Sequence, residues 1–186
     1  DRKKFAYLLD LIETYNPSRG SLLDVGCGAG LFLDMARERG WSVRGIELNH
    51  ACVDILRGKR IEVLETPLED AVLPDGSVQC LTLCDVLEHI VEPKLLLHKA
   101  HRVLGPGGLL LLRVPNVKSL ANRILHEKSA TFAGDSHINL FSAETVELLL
   151  RSTNFELLEC ETLLTLLGTI NNHLNYEHLQ AGKGIQ

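Results

Sequence analysis

The sequence predicts an α/β domain built on a doubly wound, mostly parallel sheet with helices on both faces. Three observations carry that expectation. Short apolar runs alternate with stretches of helical periodicity along most of the chain. The connections between them are short, as in repeated strand–helix units. Residues 109–114 are nearly all apolar, the pattern of a central strand buried on both faces.

Taken in order, residues 3–15 form an amphipathic helix with Phe5, Leu8, Leu9 and Ile12 on one side, closed by Asn16-Pro17-Ser18-Arg19-Gly20. Residues 21–25 are the first strand. A helix over 30–39 stops at Gly40 in the manner of a C-cap. Residues 41–47 are the second strand, and Asn49 caps a helix to Arg57. A short third strand covers 61–65, and Pro67 opens a loop. Pro74-Asp75-Gly76-Ser77 has the composition of a tight turn before a fourth strand over 78–84. A helix over 93–104 begins with proline in its first turn and is broken by Gly105-Pro106-Gly107-Gly108. The apolar strand 109–114 follows, then a short helix near 118–126 and a loop over 127–141. Ser142 and Thr145 make a partial capping box for a helix to Thr153, with Glu144 in its first turn. Residues 155–162 read as a further strand. Beyond 163 the pattern weakens, and 171–186 form a polar tail read as disordered. One domain over 1–170, with the N-terminal helix as its cover, is the expected organisation.

Composition sets outer bounds. The chain has 186 residues, 45% of them hydrophobic and 23% charged, as suits one soluble globular domain. The net charge of −5 and the lack of a basic stripe argue against nucleic acid as a partner. No apolar run approaches the roughly 20 residues needed to span a bilayer, and no signal peptide is visible. The chain opens at Asp1 rather than Met, which reads as a fragment or processed form. Five cysteines, an odd number without C-x-x-C, indicate free thiols in a reducing, cytoplasmic setting. Cys80 and Cys84 on one strand would lie about 13 Å apart, too far for a disulfide.

The densest functional signal is LLDVGCGAGLFL, residues 22–33: an apolar strand, a glycine turn, then a helix. Gly26, Gly28 and Gly30 let the backbone turn sharply and let a ligand approach it without meeting a Cβ. In an open α/β sheet such a turn lies at the carboxyl end of a strand, where ligands bind. The G-x-G-x-G spacing followed by Leu31 differs from the dinucleotide G-x-G-x-x-G, and no Lys-Ser or Lys-Thr follows to make a phosphate loop. Glu47, at the second strand end, can accept both hydroxyls of a ribose.

LLDVGCGAG followed by GIELN resembles the first two motifs of class I S-adenosylmethionine-dependent methyltransferases. VLPDGSVQCLTLCDVLEHI, HRVLGPGGLLLLRVPN and HINLFSAETVELLL extend the resemblance over roughly residues 20–160. It is closest to the branch of ubiquinone-biosynthesis-like, small-molecule O-methyltransferases. The resemblance implies a Rossmann-like, seven-stranded-type sheet ending in an antiparallel hairpin, of which only one strand is visible here. It implies S-adenosylmethionine as cofactor and S-adenosylhomocysteine as product. Gly26, Cys27, Gly28 and Gly30 would lie against the amino acid and ribose. Asp24 would fix the turn or reach the ammonium through water, Glu47 would hold the ribose, and Leu48 would pack on adenine. Where the family commonly has an acidic residue after the third strand, in a Gly-Asp pair, this chain has Thr66-Pro67, so the Leu68 N–H and the side chain of Glu69 or Asp70 are the remaining adenine partners. Cys84 and Asp85 would line the methionine end. Gln79 stands where the family often has a structural Asp.

Methyl transfer is an in-line displacement from a good leaving group, so the protein mainly supplies alignment and a dry site. A hydroxyl acceptor also benefits from a base near neutral pKa, which suits histidine. Of eight histidines, His89, after the cofactor loop, and His137, in the loop before the Ser142 helix, are the candidates, with His137 preferred. His98 and His101 lie three apart on a helix face without a third ligand, so no metal is expected. The acceptor expected is a small molecule methylated on oxygen, with nitrogen and carbon as further options. Two rivals remain: a nicotinamide-dependent oxidoreductase, and a non-catalytic S-adenosylmethionine-binding regulator. Neither the acceptor's identity nor the oligomeric state is legible in the sequence.

Overall fold

A computed structural model describes residues 2–126, 129–132 and 137–162. Helix α1 (Arg2–Tyr15) buries Leu8, Leu9 and Ile12, one stripe at helical spacing. Strand β1 (Ser21–Val25) leads through the glycine turn into α2 (Leu31–Glu38). Strand β2 (Ser42–Ile46) leads to α3 (His50–Gly58), and the short β3 (Glu62–Leu64) follows. Strand β4 (Val78–Cys84) ends in a 3₁₀ turn at Leu87–His89. Then come α4 (Pro93–Val103), β5 (Leu104–Arg113), α5 (Leu120–Leu125), a 3₁₀ turn at Ala130–Phe132 and α6 (Ala143–Ser152).

The strands form one parallel sheet in the order β3-β2-β1-β4-β5. The chain winds outward from β1 through β2 to β3, then returns to the other side of β1 with β4. The order therefore reverses between β1 and β4, and ligands bind at such switch points, outside the carboxyl ends of the strands.

Two cores, one on each face, follow from the period-2 alternation of the strands. Leu22, Cys80, Leu109 and Leu111 join Leu8, Leu9, Phe32 and Trp41 on the face covered by α1 and α2. Leu23, Leu81, Leu83, Leu110 and Leu112 join Leu96, Leu97, Ala100 and Leu150 on the face covered by α4 and α6. This is the doubly wound arrangement the sequence predicts. Among the described residues no helix is long and apolar enough to cross a membrane.

Three details differ from the sequence reading. Gly105–Gly108, read as a break, lies within β5: Val78 pairs with Leu104 and Cys80 with Leu109, so four residues bulge out between those pairs. The capping box at Ser142 is complete, because the Thr145 hydroxyl accepts the Ser142 N–H (2.8 Å) in place of a carboxylate. Residues 155–162 are not a strand. Phe155 and Leu157 do pack on the α4 core. Glu159 and Glu161, which follow them, turn instead to α1, where the Tyr7 hydroxyl donates to Glu161 (2.6 Å) and that of Tyr15 to Glu159 (2.9 Å). Among the described residues the sheet thus has five strands. The hairpin strand sought within 163–170 and the tail 171–186 lie outside the described residues.

Candidate active site

At the end of β1 the backbone needs positive φ at three positions: Gly26 (71°), Gly28 (54°) and Gly30 (79°). The Gly26 and Cys27 N–H groups donate to the Ile46 carbonyl at 2.8 and 3.2 Å, which locks the turn to the end of β2. The three glycines do different work. A Cβ on Gly30 would lie 2.4 Å from Leu56 Cδ2, so Gly30 lets α2 seat against α3. One on Gly26 would meet Val86 Cγ2 at 2.7 Å. One on Gly28 would meet nothing within 4 Å among the described residues, and this open backbone is the surface a ligand can reach.

Glu47 faces that opening. Its carboxylate accepts the Gly28 N–H (2.7 Å) with one oxygen and the Leu48 and Asn49 N–H groups (2.9 and 2.8 Å) with the other. Asn49 in turn caps α3, its side-chain oxygen accepting from Ala51 and Cys52. Carboxylate, cap and glycine turn are therefore one hydrogen-bonded unit spanning two strand ends.

A cavity of about 310 Å³ opens beside this unit, lined among others by Asp24, Gly26, Cys27, Cys84 and Asp85. Asp24 stands opposite Thr82 in the β1–β4 register and accepts its hydroxyl at 2.6 Å. Burial pushes its carboxyl up to about 7, with the Thr82 hydrogen bond opposing and the Glu47 charge adding to the rise. Burial likewise pushes the Cys27 thiol up to about 12 and that of Cys84 to about 11, so both present neutral sulfur to the cavity. Asp85 has a left-handed backbone (φ 58°) and forms a close ion pair with Arg113 from the end of β5. The Asp85 N–H also donates to the Arg113 carbonyl at 2.9 Å.

The residues assigned to the adenine end lie off the cavity lining. Leu48 is 57% exposed, beside Glu47. Leu68 sits in the core in a tight turn where the Pro67 carbonyl accepts the Asp70 and Ala71 N–H groups, and Glu69 is half-buried.

The two candidate bases come together, although neither lines the cavity. The rings of His89 and His137 pack edge to face with centroids 5.0 Å apart. His137 Nδ1 lies 3.2 Å from the Thr131 carbonyl, which can only accept, so Nδ1–H is the donor, and in the neutral form of the ring Nε2 carries the lone pair. The carbonyl of the intervening Glu88 accepts the Ile138 and Asn139 N–H groups (2.9 and 3.0 Å), which suspends the His137 loop from the end of β4. The Glu88 carboxylate is buried; Oε1 lies 4.0 Å from His89 Nε2, and among the described residues neither oxygen has a hydrogen-bond partner. Ligand atoms of Glu88, His89 and His137 fall within 4.8 Å of one another, a grouping that could hold a metal ion, although the sequence reading expects none.

Sequence reasoning passed over Lys4, Phe5 and Phe32, which wall the cavity from α1 and α2, and Arg113. Arg113 did leave a signal, as the one charge in an otherwise apolar strand (LLLLRV). Lys4 left none, being one of several cations on an exposed helix start.

A glycine turn open at Gly28, a carboxylate at the next strand end and no Lys-Ser or Lys-Thr after the turn are in keeping with a class I S-adenosylmethionine-dependent methyltransferase domain. The chain belongs to the family described as a methyltransferase domain, whose model matches residues 1–160. It is 30% identical over 103 residues to a ubiquinone biosynthesis O-methyltransferase of Pseudomonas paraeruginosa, covering 52% of this chain and 44% of that protein. The chain thus spans less than half the length of that relative. Its fold is similar to a SAM-dependent methyltransferase from Archaeoglobus fulgidus (TM-score 0.71, 20% identity, 96% of this chain and 86% of that one). It is also similar in fold to a Burkholderia thailandensis 1,6-didemethyltoxoflavin-N1-methyltransferase solved with bound S-adenosylhomocysteine (TM-score 0.64, 17% identity, 82% and 67%).

Proposed function

We propose that this protein moves the methyl group of S-adenosylmethionine to an oxygen of a small-molecule acceptor. The observation that carries the reading is the open backbone at Gly28 facing the Glu47 carboxylate, beside a cavity that holds Asp24. That set suits a nucleoside with a ribose diol and a charged amino acid tail. When bound, the cofactor supplies a methyl group on a sulfonium that leaves as a neutral thioether. The chain's own work is then to hold the ribose at Glu47, place the tail against Asp24 and keep water away with Phe5 and Phe32.

Oxygen as the acceptor atom is supported by the likeness to the Pseudomonas O-methyltransferase and by the chemistry of the histidine pair. As the acceptor oxygen bonds to the methyl carbon and the carbon–sulfur bond breaks, the hydroxyl proton must leave. His137 Nε2, with its lone pair available, is the group we assign to take it, and His89 packs against the same ring.

Two measurements test the reading. Glu47→Ala should weaken S-adenosylhomocysteine binding by calorimetry by about one to two decades, the worth of a charge-assisted hydrogen bond. Affinity within twofold of wild type in a folded variant removes Glu47 as the ribose ligand. With an acceptor in hand, His137→Ala should keep cofactor binding yet lose about 10²–10⁴-fold in turnover. Unchanged turnover in that variant, assayed beside His89→Ala, returns His137 to a packing role.

A further inference from the structure

The chemistry assigned to His137 needs one tautomer of its ring. In water a neutral histidine favours the form with its proton on Nε2, which leaves the lone pair on Nδ1. Here the ring is held the other way, because its Nδ1–H donates to the Thr131 carbonyl. A chain of buried polar groups fixes that carbonyl. The Ser129 hydroxyl accepts the Thr131 N–H (3.3 Å), and the Ser129 carbonyl accepts that of Phe132 (2.9 Å). The 3₁₀ turn that presents the Thr131 carbonyl is thus closed from Ser129. Ser129 donates its own hydroxyl proton to the side-chain oxygen of Asn122 on α5. The Asn122 amide donates to the carbonyls of Asn116 (2.9 Å) and Val117 (3.2 Å), in the segment that leaves β5. Asn122 is 4% exposed and Ser129 2%. A buried amide and hydroxyl cost folding free energy unless their bonds are made. Here they are made, and they run in one direction, from the sheet to the histidine.

We propose that Asn122 and Ser129 are positioning residues. Through the Thr131 carbonyl they hold His137 in the tautomer whose Nε2 lone pair can take the acceptor's proton. The inference rests on the assignment of His137 as the base and deepens it. Neither residue lines the cofactor cavity, so their loss should change the histidine and leave cofactor binding as it was.

The test reads the His137 ring nitrogens by ¹⁵N NMR, with chelator present, at about two pH units above the ordinary histidine value of about 6.5. His137→Ala identifies the signals by their loss. Wild type should show a protonated Nδ1 and a bare Nε2. Ser129→Ala and Asn122→Ala should each move the ring toward the Nε2–H form preferred in water, while affinity for S-adenosylhomocysteine by calorimetry stays within about twofold. Ser129→Cys is close to serine in size but a weak donor and acceptor, so it should give the same shift without a cavity. That variant carries the test if the alanine variants do not fold. Variants that fold, bind S-adenosylhomocysteine and keep the wild-type tautomer overturn the proposal and return Asn122 and Ser129 to loop packing. Wild type with its proton on Nε2 overturns the assignment of His137 as the base, and the proposal with it. Wild type that binds no S-adenosylhomocysteine overturns the cofactor reading, a result distinct from either.

Discussion

Asp24 ties the site to the stability of the fold. Its carboxyl is held at about 7, against an ordinary value of 3.8, chiefly by burial. Between those values the folded chain binds the proton that the unfolded chain has released, so stability should fall as pH rises from about 4 to 7 and level off above. Each unit of displacement corresponds to about 1.4 kcal/mol. Asp24→Asn keeps an acceptor for the Thr82 hydroxyl and removes the titration. Urea denaturation should show a flatter pH profile for the variant than for wild type across that window. An unchanged slope would mean that other groups set it. At this scale the sequence showed which residue types gather at the turn, because glycines and strand-end acids are chosen by backbone geometry. It did not show the ion pair of Asp85 with Arg113, which exists only because β5 lies next to β4.

Among the elements, the α2–α3 contact is the most sharply specified. Gly30→Ala adds a methyl group 2.4 Å from Leu56 at a φ of 79°, combining a clash with left-handed strain. A loss of roughly 2–4 kcal/mol is expected from the two together, read as a lower urea midpoint. Gly28→Ala, with open space around it, should cost only the strain of its φ of 54° and should harm ligand binding more than folding. At the start of α6, Ser142→Ala removes one half of a capping box and should cost about 1 kcal/mol. Most elements were legible because apolar spacing, caps and turns are local signals. The segment 155–162 was not. Its alternation suits a strand, but a strand needs a neighbour with open backbone groups, and alternation alone cannot show whether one is present. The bulge in β5 was hidden for a related reason, since Gly105–Gly108 reads as a stop unless its partner β4 is known to continue.

For the molecule as a whole, two cores on opposite faces of one sheet mean that each face should report on its own cover. Leu9→Ala, fully buried between α1 and the sheet, should cost roughly 2–5 kcal/mol and loosen the wall that carries Lys4 and Phe5. The carbonyl of Glu88 has a longer reach. It holds the Ile138 and Asn139 amides, three residues beyond the Asp85 that borders the cavity. A ligand that steadies the end of β4 therefore also steadies two peptide groups of a loop it does not touch. Proton–deuterium exchange at those two amides should slow when S-adenosylhomocysteine is added, while exposed amides of α6 keep their rates. On the proposed reading, cofactor binding would then steady the segment that carries His137 through the hydrogen bonds it already makes to Glu88. Kinetically, that would favour addition of the methyl donor before the acceptor.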